Sequence, residues 1–94
     1  MAIHILKTWP QYFASIVRGE KNFEIRKNDR DFKVGDILCL KEFIPSNESY
    51  TNRVWVVIIT YILKGGECFG IDPSFCVLGI LQLSMEELGL KENL

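Results

Sequence analysis

One helical pattern stands among several short strand patterns, and this order constrains the fold more than any other feature of the sequence. Apolar residues recur at helical spacing along one face of a predicted helix, at Trp9, Tyr12, Phe13, Ile16 and Val17. Thr8 and Gln11 have the spacing of a capping box, and Gly19 is placed to end the helix in a left-handed conformation. The sequence therefore predicts a helix over residues 9–18.

Five other segments have the composition of short strands, and turn residues separate them. They cover residues 3–7, 21–27, 37–43, 53–63 and 75–83. The segment 53–63 is apolar at nearly every position, so we expect it to be central and covered on both faces. A second capping box, which begins at Ser84, predicts a short C-terminal helix.

The resulting order, β-α-β-β-β-β-α, predicts an α+β fold in a single domain spanning residues 1–94. A small curled sheet or barrel with the helix on one side would bury the apolar faces and leave few strand edges exposed. We expect Phe13, Ile16 and Val17 to pack the helix against this sheet. Ninety-four residues leave little room for a second domain.

Charge is nearly balanced over the chain but unevenly distributed along it. The net charge of -1 argues against a generic DNA coat or a polybasic membrane binder. The segment from residue 18 to residue 33 nevertheless carries six of the eleven basic residues, namely Arg18, Lys21, Arg26, Lys27, Arg30 and Lys33. Four acidic residues share the segment, which leaves it a net charge of +2. Attraction for a phosphate should therefore be concentrated in the first third of the chain.

The cysteines and the single histidine give no metal or disulfide pattern. Cys39, Cys68 and Cys76 lack the C-x-x-C spacing, and apolar neighbours around Cys39 and Cys76 predict buried strand positions. His4 has no acidic or cysteine neighbour at ligand spacing, so we expect no metal and no cofactor. The N-terminus lacks the apolar run of a signal peptide, and the longest apolar stretch, 54–59, is too short to span a bilayer. We expect a cytoplasmic protein without a membrane partner.

The segment from residue 19 to residue 26 is the most informative for function. Side chains alternate along a strand, so Glu24 and Arg26 share one face while Phe23 and Ile25 share the other, and Lys21 lies at the entrance. Glu24 offers a hydrogen-bond acceptor, Arg26 a planar bidentate donor and Lys21 a point-charge donor, all in one place. Taken alone, the pattern fits a ligand cleft and a solvated face with weak ion pairs about equally well.

The run G-x-K-x-x-E-x-R at residues 19–26, directly after an aromatic-rich helix, resembles the signature of ASCH domains in the PUA-like superfamily. The longer run through Arg30 is similar to that of small stand-alone bacterial and phage members, and shorter motifs agree at residues 4–7, 34–36, 50–53, 59–63 and 77–80. Asn52 stands where we expect a glycine, and asparagine tolerates the left-handed backbone of such a turn. The resemblance implies a PUA-like barrel whose cleft, between helix and sheet, is lined by Lys21, Glu24 and Arg26.

The resemblance also implies a function in RNA or nucleotide chemistry, and two alternatives stay open. The first is an RNA- or modified-nucleotide-binding module, in which Glu24 reads a splayed-out base while Arg26 and Lys21 hold phosphate or carbonyl groups. The second is a small hydrolase acting on an acylated or modified nucleoside or on RNA, with Lys21 and Glu24 as its catalytic residues. The resemblance to ASCH domains also implies a difference, because some ASCH-like relatives that use the lysine corresponding to Lys21 in amide hydrolysis have a threonine at the position of Glu24.

Further candidate binding residues surround this motif or share its chemistry. They are Lys27, Asn28, Arg30, His4, Tyr50, Thr51 and Arg53. Where an aromatic ring lies beside a basic group, the ring could stack on a base while the basic group binds the phosphate. His4 should face the same way as Leu6, and a lone histidine is more often structural. Trp9 and Trp55 have apolar neighbours, so we expect both to pack inside.

Overall fold

A mixed five-stranded sheet curls into a half-barrel around one helix in the computed structural model, which describes residues 1–67 and 69–84. The elements are β1 (Ile3–Thr8), α1 (Pro10–Val17), β2 (Phe23–Lys27), β3 (Ile37–Ile44), β4 (Ser49–Lys64) and β5 (Phe75–Gln82). The α+β class, the helix and the five strands are confirmed, although β4 begins four residues earlier than predicted. Cys68 and the C-terminal helix predicted after Ser84 lie outside the described residues.

The strand order is β1-β3-β4-β5-β2, which leaves β1 and β2 as the two edges of the sheet. β1 runs parallel to β3, and the other neighbouring pairs are antiparallel. β4 is central, as predicted, but the expectation that both of its faces are covered is wrong. Val54 and Tyr61 are 43% and 65% exposed, because the single helix packs on the inner face only.

The core lies on the inner face of the sheet. Inward-pointing side chains from four strands form one apolar cluster, namely Leu6, Leu38, Leu40, Val57, Ile59, Cys76, Leu78 and Ile80. The helix adds Ile16 to this cluster and buries Phe13 completely, whereas Val17 is only partly buried. Each fully buried side chain of this size contributes about 1.5–3 kcal/mol through the removal of apolar surface from water. Cys76 is buried as predicted, while Cys39 is only partly buried.

The helix α1 begins without the predicted capping box. Its N-cap is Trp9, which makes no side-chain capping bond, and Thr8 is instead the last residue of β1. The prediction failed because the Thr8 hydroxyl points inward, where its oxygen accepts a hydrogen bond from Arg26 Nη2 at 3.3 Å.

The end of α1 follows the prediction closely. Gly19 has a φ of 76°, and its N–H donates to the Ile16 carbonyl at 3.0 Å. The N–H of Glu20 donates to the Ser15 carbonyl at 2.9 Å, which completes a Schellman motif. Since Lys21 N–H also donates to the Ser15 carbonyl, this reversal fixes the position of Lys21 just before β2 begins.

Strand β2 turns its polar side chains inward and its apolar side chains outward. Glu24 is 3% exposed, whereas Phe23 and Ile25 are 43% and 57% exposed. The predicted alternation is confirmed. An ordinary half-buried strand turns its apolar side chains inward and its polar side chains outward, and β2 does the opposite. An ionised carboxylate tolerates such burial only when it is paired and hydrogen-bonded, and Glu24 contacts two cationic side chains.

The edge strands β1 and β2 face each other across a gap, called the seam here. Arginine side chains of the β2 segment cross it: Arg26 Nη2 donates to the Lys7 carbonyl at 2.9 Å, and Arg30 Nη1 donates to the Ile5 carbonyl at 3.1 Å. The half-barrel is thus bridged at the seam by side chains, because β1 and β2 do not pair through their backbones.

Candidate functional site

A cavity of about 480 Å³ opens beside the seam, where β1 passes into α1 opposite β2. Its lining consists of Lys7, Thr8, Trp9, Tyr12, Lys21, Phe23, Glu24, Ile25 and Arg26. Lys21, Glu24 and Arg26 were predicted to share one concave surface, and the structure confirms that placement.

The base of the cavity is a triad of charged side chains centred on Glu24. Glu24 Oε1 accepts a hydrogen bond from Lys21 Nζ, and Oε2 lies 2.8 Å from Arg26 Nε and 2.7 Å from Arg26 Nη2. The carboxylate is almost fully buried, while the Lys21 and Arg26 side chains remain 19% and 23% exposed. The triad therefore carries a formal charge of +1, with its cations rather than its anion open to the cavity.

The two cations retain unused donor capacity. Lys21 Nζ also donates to the Phe23 carbonyl at 2.9 Å, which accounts for two of its three N–H groups. Arg26 uses Nε and Nη2 for Glu24, Thr8 and the Lys7 carbonyl, but Nη1 has no hydrogen-bond partner within the described part of the chain. A ligand oxygen in the cavity could accept from Arg26 Nη1 and from the remaining Lys21 N–H.

Aromatic rings form the rim of the cavity. Trp9, Tyr12 and Phe23 are all close to half exposed, and the Trp9 and Tyr12 rings stack with centroids 6.2 Å apart. Lys21 Nζ lies 5.6 Å from the Tyr12 centroid and 5.1 Å from the Phe23 centroid. The expectation that Trp9 packs inside is wrong, because the N-cap position places its ring at the open end of α1. Flat rings beside charged donors suit a planar ligand with polar edges.

Thr51 and Arg53 lie in a neighbouring cluster around Glu42, not in the cavity. The Thr51 hydroxyl donates to Glu42 Oε1 at 2.7 Å, and Arg53 Nη1 lies 3.7 Å from the same oxygen. Glu42 is buried, and its β1 neighbour in the sheet is Thr8, which lines the cavity. Asn52 has a φ of 73°, so the predicted left-handed turn residue is confirmed.

His4 faces inward like Leu6, as predicted, but the structure does not bring it to the cavity. Its Nε2 lies 2.8 Å from Asp36 Oδ2, and its ring packs against Phe32 with centroids 4.7 Å apart. Asp36 also accepts from the backbone N–H groups of Ala2 and Lys33, at 3.0 and 3.1 Å. The Ala2 hydrogen bond, with that of His4, lowers the pKa of Asp36 from 3.8 to about 2. These contacts give His4 a structural role.

The remaining sequence candidates take separate positions. Arg30 crosses the seam, Lys27 and Asn28 are exposed at the end of β2 outside the cavity lining, and Tyr50 lies on the outer face of β4 beside Phe43. The cavity residues that the sequence reasoning missed are Lys7, Thr8, Trp9 and Tyr12. The i, i+3 spacing of Trp9 and Tyr12, next to the charged motif, was the available signal, but it also fits a buried helix face.

The comparison with protein families places this arrangement in a known group. The model of a family described as a domain of unknown function, DUF3850, matches residues 3–80. The chain belongs to the DUF3850 family. The DUF3850 match begins with β1, ends within β5, and includes every residue that lines the cavity.

One curated relative comes from Escherichia phage P2, where it is described as an uncharacterized 12.9 kDa protein in the GpA 3' region. It is 40% identical to this DUF3850 domain over 42 residues. That alignment covers 45% of this chain and 38% of the phage protein, so the chain matches well under half of the relative's length. Within the described residues, no helix is long and apolar enough to cross a membrane.

Proposed function

We propose that this domain is an RNA- or modified-nucleotide-binding module and that its cavity receives one unpaired nucleotide. The observation that carries the proposal is the positively charged triad of Lys21, Glu24 and Arg26 at the base of an aromatic-rimmed cavity. The resemblance to ASCH domains and to PUA-like barrels, together with the curled five-stranded sheet, supports the same assignment.

The rim provides the stacking surface that an unpaired base requires. Single-stranded RNA is held mainly by aromatic side chains that stack on exposed bases, and each such contact contributes about 1–3 kcal/mol. Trp9, Tyr12 and Phe23 present exposed rings around one opening of suitable volume. A nucleobase that lies against these rings would direct its polar edge toward the charged base of the cavity.

The base of the cavity provides donors for the phosphate or for a carbonyl of the nucleobase. Arg26 Nη1 and one Lys21 N–H supply charge-assisted hydrogen bonds, which are about twice as strong as neutral ones. Both Glu24 oxygens already accept bonds from these cations. We therefore assign Glu24 to holding Lys21 and Arg26 in place, instead of the base-reading role expected from the sequence.

Fluorescence titration with nucleoside monophosphates, short RNAs and N-acylated nucleosides tests this proposal. Binding should quench Trp9, and substitution Trp9→Phe should remove the signal while leaving Trp55 as a reference. For short RNAs, log affinity should fall with log salt at a slope of roughly -1.5 to -2, as two or three phosphate contacts on a single strand require.

Two variants of equal charge change provide the matched control. Arg26→Ala should lower the affinity at least about tenfold, since it removes a charge-assisted contact. Arg18→Ala should leave it unchanged, because Arg18 pairs with Glu20 at the exposed end of α1. Equal binding by both variants would refute the proposal. A salt slope steeper than about -5 would indicate a broad basic surface instead of this cavity. Turnover of an acylated nucleoside would favour the hydrolase.

A further inference from the structure

We propose that a second nucleotide subsite lies outside the cavity, on the outer face of β1, β3 and β4, and that it binds the nucleotide next to the one in the cavity. The subsite consists of Lys7, Lys41, Phe43 and Tyr50, called the outer patch here. This inference rests on the proposed function and specifies its substrate as a single strand of at least two nucleotides.

The outer patch pairs each of two ammonium groups with an aromatic ring. Lys7 Nζ lies 4.5 Å from the Phe43 centroid, and Lys41 Nζ lies 4.8 Å from the Tyr50 centroid. The two rings meet edge to face, with centroids 5.1 Å apart. Tyr50 keeps 44% of its surface exposed beyond the contact with Lys41. A base stacked on Tyr50 would therefore have its phosphate within reach of a fixed cation.

No carboxylate among residues 1–67 and 69–84 forms an ion pair with the lysines of the outer patch. Lys7 and Lys41 are direct neighbours in the β1–β3 register, where two like charges destabilise a sheet. Neither forms an ion pair with any described residue. Some other cations do have carboxylate partners, including Arg18 with Glu20 and Lys33 with Asp31. Lys27 and Lys64 also lack an ion pair among the described residues, but neither lies directly opposite a second lysine in the sheet, as Lys7 and Lys41 do. An anionic ligand is the group that would neutralise Lys7 and Lys41 together.

The outer patch is continuous with the cavity through Lys7. Lys7 lines the cavity, and its ammonium group lies over the Phe43 ring of the patch. A strand that leaves the cavity past Lys7 therefore reaches Phe43 and Tyr50 directly. Only an unpaired strand can offer its bases to these rings, so a single strand fits this surface and a duplex does not.

If the outer patch had a purely structural role, its substitutions would have effects different from those expected for a subsite. Lysine over an exposed aromatic ring contributes to stability through a cation–π contact, with no dependence on any ligand. In that case, substitutions in the patch would change thermal stability alone, or would weaken ligands of every length equally. A subsite requires an effect that appears only when the ligand is longer than one nucleotide.

The test measures the affinity of a mononucleotide, a dinucleotide and a tetranucleotide of RNA for the whole chain. We expect a gain of about tenfold or more from mononucleotide to dinucleotide, as one stacked base provides. Tyr50→Leu should abolish most of this gain and leave the affinity for the mononucleotide unchanged. Lys41→Ala should do the same and reduce the tetranucleotide salt slope by about 0.7, the value for one lost phosphate contact.

Two matched substitutions on the same strand serve as controls. Tyr61→Leu and Lys64→Ala change an exposed tyrosine and an exposed lysine toward the other end of β4, and both should keep the full gain with length. If the mononucleotide binds and longer RNA binds with no higher affinity, the subsite is overturned and the proposed function is not. Equal losses for all ligand lengths in the patch variants would do so as well. If neither the mononucleotide nor longer RNA binds, the proposed function is overturned, and the subsite with it.

Discussion

Glu24 and Asp36 are two carboxylates that are buried to the same extent, each 3% exposed, yet their surroundings are opposite. Asp36 accepts hydrogen bonds from two backbone N–H groups and from His4, and it ties the start of β1 to the turn before β3. Glu24 contacts the ends of two long cationic side chains that border an open cavity.

The comparison shows that the partners of a buried charge are more informative than its depth. Backbone donors are fixed by the fold and cannot turn toward a ligand, so Asp36 has a structural role. Lysine and arginine side chains have many rotamers and spare donors, so Lys21 and Arg26 can bind Glu24 and a ligand at the same time. Substitutions at Arg26 and Asp36 test this distinction, and substitutions at Gly19 test the turn that precedes Lys21.

Arg26→Met should have the largest effect on stability, about 3 kcal/mol, because removing one partner leaves a buried carboxylate incompletely paired. It should also lower affinity for ligands of the cavity. Urea unfolding measures the loss, and Arg18→Met serves as the control, since the Arg18–Glu20 pair is exposed. Similar midpoints for the two variants would show that Glu24 does not depend on Arg26.

Asp36→Asn should cost about 2 kcal/mol at neutral pH, the value that follows from a pKa lowered from 3.8 to about 2. A lowered carboxylate pKa stabilises the folded state above pH 3.8, and this contribution is lost as the pH falls toward 2. Wild type and variant should therefore converge in stability in acid, while their affinities at neutral pH stay equal. A stability difference that persists at pH 2 would contradict the assignment, as would a loss of ligand affinity.

Gly19→Ala should have the smallest effect, about 1 kcal/mol, because Gly19 has a positive φ and an added Cβ would meet no atom within 4 Å. The loss of folding free energy then comes from forcing alanine into the left-handed backbone conformation. Gly19→Asn should lose less, since asparagine tolerates the left-handed region. Thermal unfolding of both variants measures the difference. If alanine were no worse than asparagine, the Schellman ending of α1 would not be what positions Lys21.

The fold was largely predictable because its signals are local. The left-handed Gly19 follows the last turn of the helix, and the buried face of the helix carries Phe13 and Ile16. Turn residues separate the strand segments. The capping box at Thr8 failed for a reason that lies far away in the sequence, since Arg26 takes the Thr8 hydroxyl across the seam. A contact over eighteen residues leaves no mark in a local pattern.

The site was predictable in its charges but not in its rim. Alternation placed Glu24 and Arg26 on one face, yet only the sheet order shows that this face points inward, because β2 is an edge strand opposite β1. The i, i+3 spacing of Trp9 and Tyr12 fits a buried helix face as well as a cavity rim, so it did not locate the opening beside β2. Thr51 and Arg53 have side chains that could bind the same kind of ligand as the charged motif. Their strand, β4, pairs with β3, however, and both side chains contact Glu42 of β3 instead of the cavity.

The seam has a consequence for the behaviour of the protein at high concentration. Unpaired strand edges invite edge-to-edge pairing between molecules, which is a common route to aggregation. Here the carbonyl groups of Ile5 and Lys7 are occupied by Arg30 and Arg26, so the two arginines act as gatekeepers of the β1 edge. In the proposed function, the guanidinium group of Arg26 would thus serve both ligand recognition and protection of the β1 edge, so a substitution there would affect both.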